Sequence, residues 1–140
     1  MNKKTELATF GGGCFWCTEA VFTQLKGVLK VTSGFTGGSA ETAHYYDVCS
    51  GQTDHVGPQY RSAIFYHNQS QKQNAEQIIK EVETSTGNTI VTSLEKYDAF
   101  YQADESHQQY FEKDPLSPYC QVVIIPKMIK LRSEWKDWLK

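Results

Sequence analysis

Gly11-Gly12-Gly13-Cys14-Phe15-Trp16-Cys17 is the stretch whose reading decides the fold. Glycine takes backbone angles closed to other residues, so the triplet reads as a tight turn leaving the apolar run from Glu6 to Phe10. Beyond it the spacing turns helical. Phe15, Trp16, Ala20, Val21, Phe22 and Leu25 recur three and four residues apart, with Thr18, Glu19, Thr23 and Gln24 between them. This predicts a helix from Cys14 to about Lys26 with one buried face. Cys14 then stands at a helix start, where unpaired N–H groups and the positive end of the dipole favour thiolate over thiol. The first candidate chemistry is a nucleophilic cysteine. Three rival readings stay open beside it: a small buried apolar residue, half of a zinc site with Cys17, and a thioredoxin-like redox pair. Zinc would need two more ligands, and Cys49, Cys120, His44 and His55 stand at no ligand-like spacing.

Working outward, the chain has 140 residues, 39% hydrophobic and 21% charged, which suits a single domain over residues 1–140 with one core. A formal charge of -2, from 14 basic and 16 acidic residues with no long basic run, argues against nucleic acid or an anionic membrane as partner. Four cysteines are too few for a disulfide scaffold. The start Met1-Asn2-Lys3-Lys4 meets Thr5 and Glu6 rather than an apolar signal sequence. These features predict a reducing, cytoplasmic setting, and no apolar run approaches a membrane span.

In order along the chain, strands are expected at Glu6 to Phe10, Val28 to Phe35, Ser62 to His67, Ile90 to Tyr97 and Gln121 to Ile125. His44 to Pro58 reads as irregular. Ser70 with Gln73 reads as a capping box opening a helix whose stripe is Ala75, Ile78, Ile79 and Val82, closed by Gly87. A short polar helix over Asp104 to Lys113 stops before Pro115, and Met128, Leu131, Trp135, Trp138 and Leu139 share one face of a terminal helix. Helices alternating with strands, some strands adjacent, predict an α+β class with helices packed on a mixed sheet, a two-layer ferredoxin-like sandwich.

Four segments taken together, Gly11 to Trp16, Val31-Thr32-Ser33-Gly34-Phe35-Thr36-Gly37-Gly38, Tyr45 to Gly51 and Gly57-Pro58-Gln59-Tyr60-Arg61-Ser62, closely resemble peptide methionine sulfoxide reductase A. They occur in the family's order, and the likeness runs from about Leu7 to Pro126. It implies an oxidoreductase acting on methionine S-sulfoxide, free or in proteins, with no cofactor and with thioredoxin as the recycling partner.

The residues suit that chemistry. Reducing a sulfoxide needs a soft nucleophile at sulfur and a proton for the departing oxygen. Cys14 supplies the first. Phe15 and Trp16 offer an apolar wall for the substrate's S-methyl group, although large aromatics also pack in cores. The resemblance implies that Tyr45 and Tyr60, with Tyr46 as a register alternative to Tyr45, hydrogen-bond the oxygen, and Tyr110 and Tyr119 are further candidates nearby. Attack leaves Cys14 as a sulfenic acid that a second thiol must condense with. Cys120, in Pro118-Tyr119-Cys120, approximates a family position for this resolving thiol. Cys17 is an alternative if the first helical turn unwinds, and Cys49 reads as structural.

One departure stands out. In relatives, Cys-Ser-Gly-x-Thr-x-His runs on into Ala-Glu, a strand, a helix and Asn-Arg-Gln-Gly before Gln-Tyr-Arg-Ser. Here Cys49-Ser50-Gly51-Gln52-Thr53-Asp54-His55 meets Val56-Gly57-Pro58-Gln59-Tyr60 directly. The resemblance therefore implies an internal deletion that removes the family's catalytic Glu and Asp, leaving Asp54 or His55 as substitutes. Two expectations follow: an enzyme of weakened activity, or a catalytically dead remnant that at most binds methionine-containing peptides.

Overall fold

The computed structural model describes residues 4–50 and 62–140, without the side chains of Asp47, Cys49 and Ser50. In chain order the main elements are β1 (Thr9–Gly12), α1 (Phe15–Phe22), β2 (Gly34–Thr36), α2 (Tyr45–Ser50), β3 (Ser62–Tyr66), α3 (Gln69–Thr86), β4 (Ser93–Lys96), β5 (Phe100–Gln102), α4 (Tyr110–Lys113) and α5 (Ile125–Glu134). The class is α+β, with helices around a small mixed sheet.

Alternation explains the central strand. In Ser62–Tyr66 the second and fourth residues, Ala63 and Phe65, are buried while their neighbours are half-exposed. β3 pairs antiparallel with β1, Phe10 opposite Ile64, and parallel with β4, Phe65 opposite Glu95. A second sheet joins β2 and β5 antiparallel, Phe35 opposite Tyr101. Gly34 opens that sheet because a Cβ there would overlap the Phe100 ring and the Tyr101 carbonyl. Phe35 then packs with Val48 and Ala103. The third buried group, Cys17, Ala20, Cys120, Ile124 and Met128, lies between α1 and the C-terminal helical segment.

Several expectations are corrected. The Gln121 to Ile125 run is not a strand: Cys120–Ile124 is a π turn leading directly into α5. A short apolar run carries no periodicity of its own, and the four-residue spacing Cys120, Ile124, Met128 continues the stripe of the helix that follows. That helix ends at Glu134, which leaves Trp135 and Trp138 exposed. The strand predicted over Val28 to Phe35 shrinks to Gly34–Thr36, and α1 ends at Phe22. Residues 45–50, read as irregular, form α2, and β5 was not anticipated. The start of α3 is capped two residues before the expected Ser70. Asn68 accepts from the Gln71 N–H at 2.9 Å, and the Gln71 side chain accepts from the His67 N–H at 2.9 Å. Gly87 closes α3 in the left-handed region as expected, at φ 69°.

Two stability changes follow. Gly34→Ala should lower the urea midpoint through an overlap costing about 1–3 kcal/mol, and Asn68→Ala should cost about 1 kcal/mol through the lost cap. Denaturation followed by circular dichroism reads both.

Candidate active site

The turn before α1 aims its first thiol. Gly13 takes φ 70°, and Cys14 follows as the extended N-cap residue of the helix. A cap side chain lies beside the third residue of its helix, here Cys17. Side chains of a helix lean toward its N-terminus, so Cys17 reaches back to Cys14. The N–H groups of Cys17 and Trp16 face the Cys14 sulfur without closing a full capping hydrogen bond. Cys14 is half-buried, and Cys14, Cys17 and Cys120 are all free thiols.

Electrostatics divides the two sulfurs. A hydrogen bond from Cys17 is the largest influence on Cys14. Burial opposes it, Tyr119 and the two backbone N–H groups reinforce it, and the balance brings the Cys14 pKa down to about 5. At neutral pH Cys14 is a thiolate. Cys17 moves the opposite way, held protonated first by its bond to Cys14 and then by burial, while Tyr119 and Lys127 pull it back down. The Tyr119 hydroxyl lies 3.6 Å from the Cys17 sulfur, and the Lys127 ammonium donates to the same sulfur at 3.5 Å. Burial and the two neighbouring sulfurs raise the Tyr119 pKa, so its phenol stays a neutral donor.

An aromatic cluster adjoins the thiols. Tyr110 stacks on Trp16 with ring centres 3.8 Å apart, and Tyr119 meets Trp16 edge-on at 5.3 Å. Phe15 packs against Phe35, Tyr45 and His107 at 5.6, 6.1 and 5.5 Å. Tyr45 stacks on His107 at 4.5 Å. The Trp16 indole N–H donates to His107 Nδ1 at 3.2 Å, which leaves Nε2 to carry the proton of the neutral ring. Phe15 and Trp16 pack within the cluster while staying half-exposed.

Of the residues named from sequence, Cys14, Phe15, Trp16, Cys17, Tyr45, Tyr110 and Cys120 gather here. Cys120 is wholly buried in the cluster that Cys14 packs against. Tyr60, Asp54 and His55, with the Cys49 side chain, lie outside the described residues. Sequence reasoning missed Lys127 and the structural part played by Glu19 and His107. Lys127 stands seven residues after Cys120, two helical turns, a signal hidden by reading 121–125 as strand. Glu19, placed on the polar face, is buried at 4% exposure, accepting from the Ser33 hydroxyl at 2.6 Å and from the Gln109 N–H. Among the described residues no three His, Cys, Asp or Glu side chains converge as a metal site would require, and no helix is long and apolar enough to cross a membrane.

Comparison with known proteins gives consistent matches. The family profile described as peptide methionine sulfoxide reductase matches residues 6–57 and again 54–139. The peptide methionine sulfoxide reductase MsrA of Saccharolobus solfataricus is 37% identical over 172 residues, covering 96% of this chain and 97% of its own length. That of Acinetobacter baumannii is 38% identical over 170 residues, covering 95% and 98%. Both alignments exceed the 140 residues of the chain, so these relatives carry residues with no counterpart here. Among solved structures, the reduced form of Mxr1 from Saccharomyces cerevisiae superposes with a TM-score of 0.72 at 25% identity, over 86% of this chain and 91% of that one. Methionine sulfoxide reductase A of Corynebacterium diphtheriae shares the fold at a TM-score of 0.62 and 24% identity, over 77% and 74%.

The titration is directly measurable. Alkylation of Cys14 by iodoacetamide should be half-maximal near pH 5 and fall away below it, because the reactive thiolate exists only above its depressed pKa. Cys17→Ala removes the leading hydrogen bond and should move the profile upward, toward an ordinary thiol.

Proposed function

The chain belongs to the peptide methionine sulfoxide reductase family, and from that premise we propose that it reduces methionine S-sulfoxide, free or in oxidised proteins, by way of a Cys14 sulfenic acid and then a disulfide. The observation that carries this reading is the activated, half-buried Cys14 sulfur beside two donors and an aromatic cluster. The thiolate attacks the sulfoxide sulfur, the oxygen takes up a proton, and hydroxyl passes to Cys14 as the thioether leaves. Phe15, Trp16 and Tyr110 give the S-methyl group apolar and sulfur–aromatic contact. Tyr45 and Tyr60 serve as donors to the oxygen, with Tyr119 a third beside the thiols.

Cys17 is our choice of resolving thiol over Cys120. Cys14 is the cap residue and already outside the helix, so the two sulfurs approach without unwinding the first turn. Cys120 is sealed in the core. Thioredoxin is the natural reductant for the resulting disulfide, in a cytoplasmic setting. We read the frame as a two-layer ferredoxin-like sandwich shortened where His55 meets Val56. Two overlapping stretches of family similarity and alignments longer than the chain support that deletion. Loss of the family's Glu as general acid implies turnover slower by roughly 100- to 10,000-fold.

A single-turnover experiment without reductant tests the proposal. One equivalent of methionine S-sulfoxide should yield methionine with loss of two thiols from the native chain. Cys14→Ser should yield none. Cys17→Ser should lose one thiol and leave a sulfenic acid that dimedone traps, whereas Cys120→Ser should behave as native. Methionine binding without any reduction, even on prolonged incubation, would mark the chain as an inactive remnant.

A further inference from the structure

Lys127 has an unusual partner. Its ammonium donates to the Cys17 sulfur at 3.5 Å in a part-buried setting. Among the described residues the ion pairs join Lys72 with Glu76 and Lys113 with Glu105, and no carboxyl pairs with Lys127. Lys127 itself stays exposed, yet its ammonium turns to this sulfur, a contact that gains little while the thiol keeps its proton. It gains much once the sulfur is an anion.

We propose that Lys127 is a catalytic residue of the resolving step, holding Cys17 as a thiolate while it attacks the Cys14 sulfenic acid. The inference rests on the reading of Cys17 as the resolving thiol. Its logic is a transfer of charge between neighbours. In the reduced protein the negative charge sits on Cys14, and Cys17 lends it a hydrogen bond. Oxidation turns Cys14 into a neutral sulfenic acid, and the larger of the two influences that kept Cys17 protonated disappears, leaving burial to be offset. Lys127 and Tyr119 remain beside the Cys17 sulfur. Among the described residues, the titratable groups packed with Cys17 are then Cys14 at the cap of its own helix, Tyr110 on α4, and Tyr119, Cys120 and Lys127 on the C-terminal helical segment.

The step balances without an outside reactant. The Cys17 sulfur forms a bond to the Cys14 sulfur, and the Cys14 sulfur–oxygen bond breaks. The proton given up by Cys17 ends on the departing hydroxide, which leaves as water. Cys17 is oxidised and Cys14 reduced by the same electron pair.

The test generates the sulfenic acid with hydrogen peroxide, so it does not depend on sulfoxide turnover. Native protein, Lys127→Met and Lys127→Arg are oxidised with one equivalent, and disulfide formation is followed by quenching with dimedone and counting thiols. Lys127→Met should form the Cys14–Cys17 disulfide roughly tenfold or more slowly, since an opposite charge at this distance shifts a pKa by about 1–3 units. Lys127→Arg should recover most of the native rate. A second measurement, the ultraviolet thiolate titration of Cys17 in a Cys14→Ser background, should move upward by about one unit or more with Lys127→Met. Disulfide formation at the native rate in Lys127→Met, or an unmoved titration, overturns the proposal. A native chain that forms this disulfide with peroxide yet yields no methionine from the sulfoxide would instead defeat the functional reading above.

Discussion

The buried carboxyl of Glu19 is the constraint on which the site depends. A polar side chain taken out of water must find partners or cost several kcal/mol. Glu19 finds two, the Ser33 hydroxyl just before β2 and the Gln109 N–H at the start of α4. Ser33 is then tied again, because the Gln108 side chain accepts from its N–H at 2.9 Å and donates to its carbonyl at 2.8 Å. Gln108 also donates to the Ala103 carbonyl at 2.9 Å. One connected network thus fixes α1 against β2, the end of β5 and α4. It also holds Gln109 in the left-handed region at φ 52°, an arrangement that a non-glycine residue adopts only when its surroundings insist. With Gln109 so held, the next residue, Tyr110, lies flat on Trp16.

From that frame the chemistry separates into two neighbouring regions. On one side the thiols occupy the helix start, where backbone N–H groups, a phenol and an ammonium surround sulfur. On the other, Phe15, Trp16, Tyr45, His107 and Tyr110 form a nearly continuous aromatic surface. Adjacent residues at one helix start belong to the two regions, so the Cys14 sulfur and the aromatic surface keep a fixed relation. The hydrogen bond from Trp16 to His107 locks the indole's orientation as stacking alone would not.

How much of this was legible depended on sequence distance. A glycine triplet followed by three- and four-residue spacing is a local pattern, and it announced α1, although Gly11 and Gly12 extend β1 and the turn falls to Gly13. α3, with its stripe and closing Gly87, was equally plain, although its cap proved to be Asn68, because a side-chain cap competes with similar residues one or two places away. What escaped were pairings across the chain. Lys127 and Cys17 are 110 residues apart, and Glu19 and Gln109 are 90 apart, with nothing in either neighbourhood to name the partner. Glu19 in particular has the composition of a solvated helix face and the surroundings of a core. The run Gln121 to Ile125 failed for a different reason: it is too short to show any period, and its true phase comes from residues on either side.

That phase has a geometric consequence. In an α-helix a residue four places on overshoots a full revolution by roughly 40°. In the broader π turn, closed here by the Ile125 N–H on the Cys120 carbonyl, it falls short of one. One step of each kind leads from Cys120 through Ile124 to Met128, and the two angular errors have opposite signs. The three side chains therefore keep a nearly straight row beside α1 instead of spiralling off it, and the widened coil acts as a vernier that aligns two rods of different pitch.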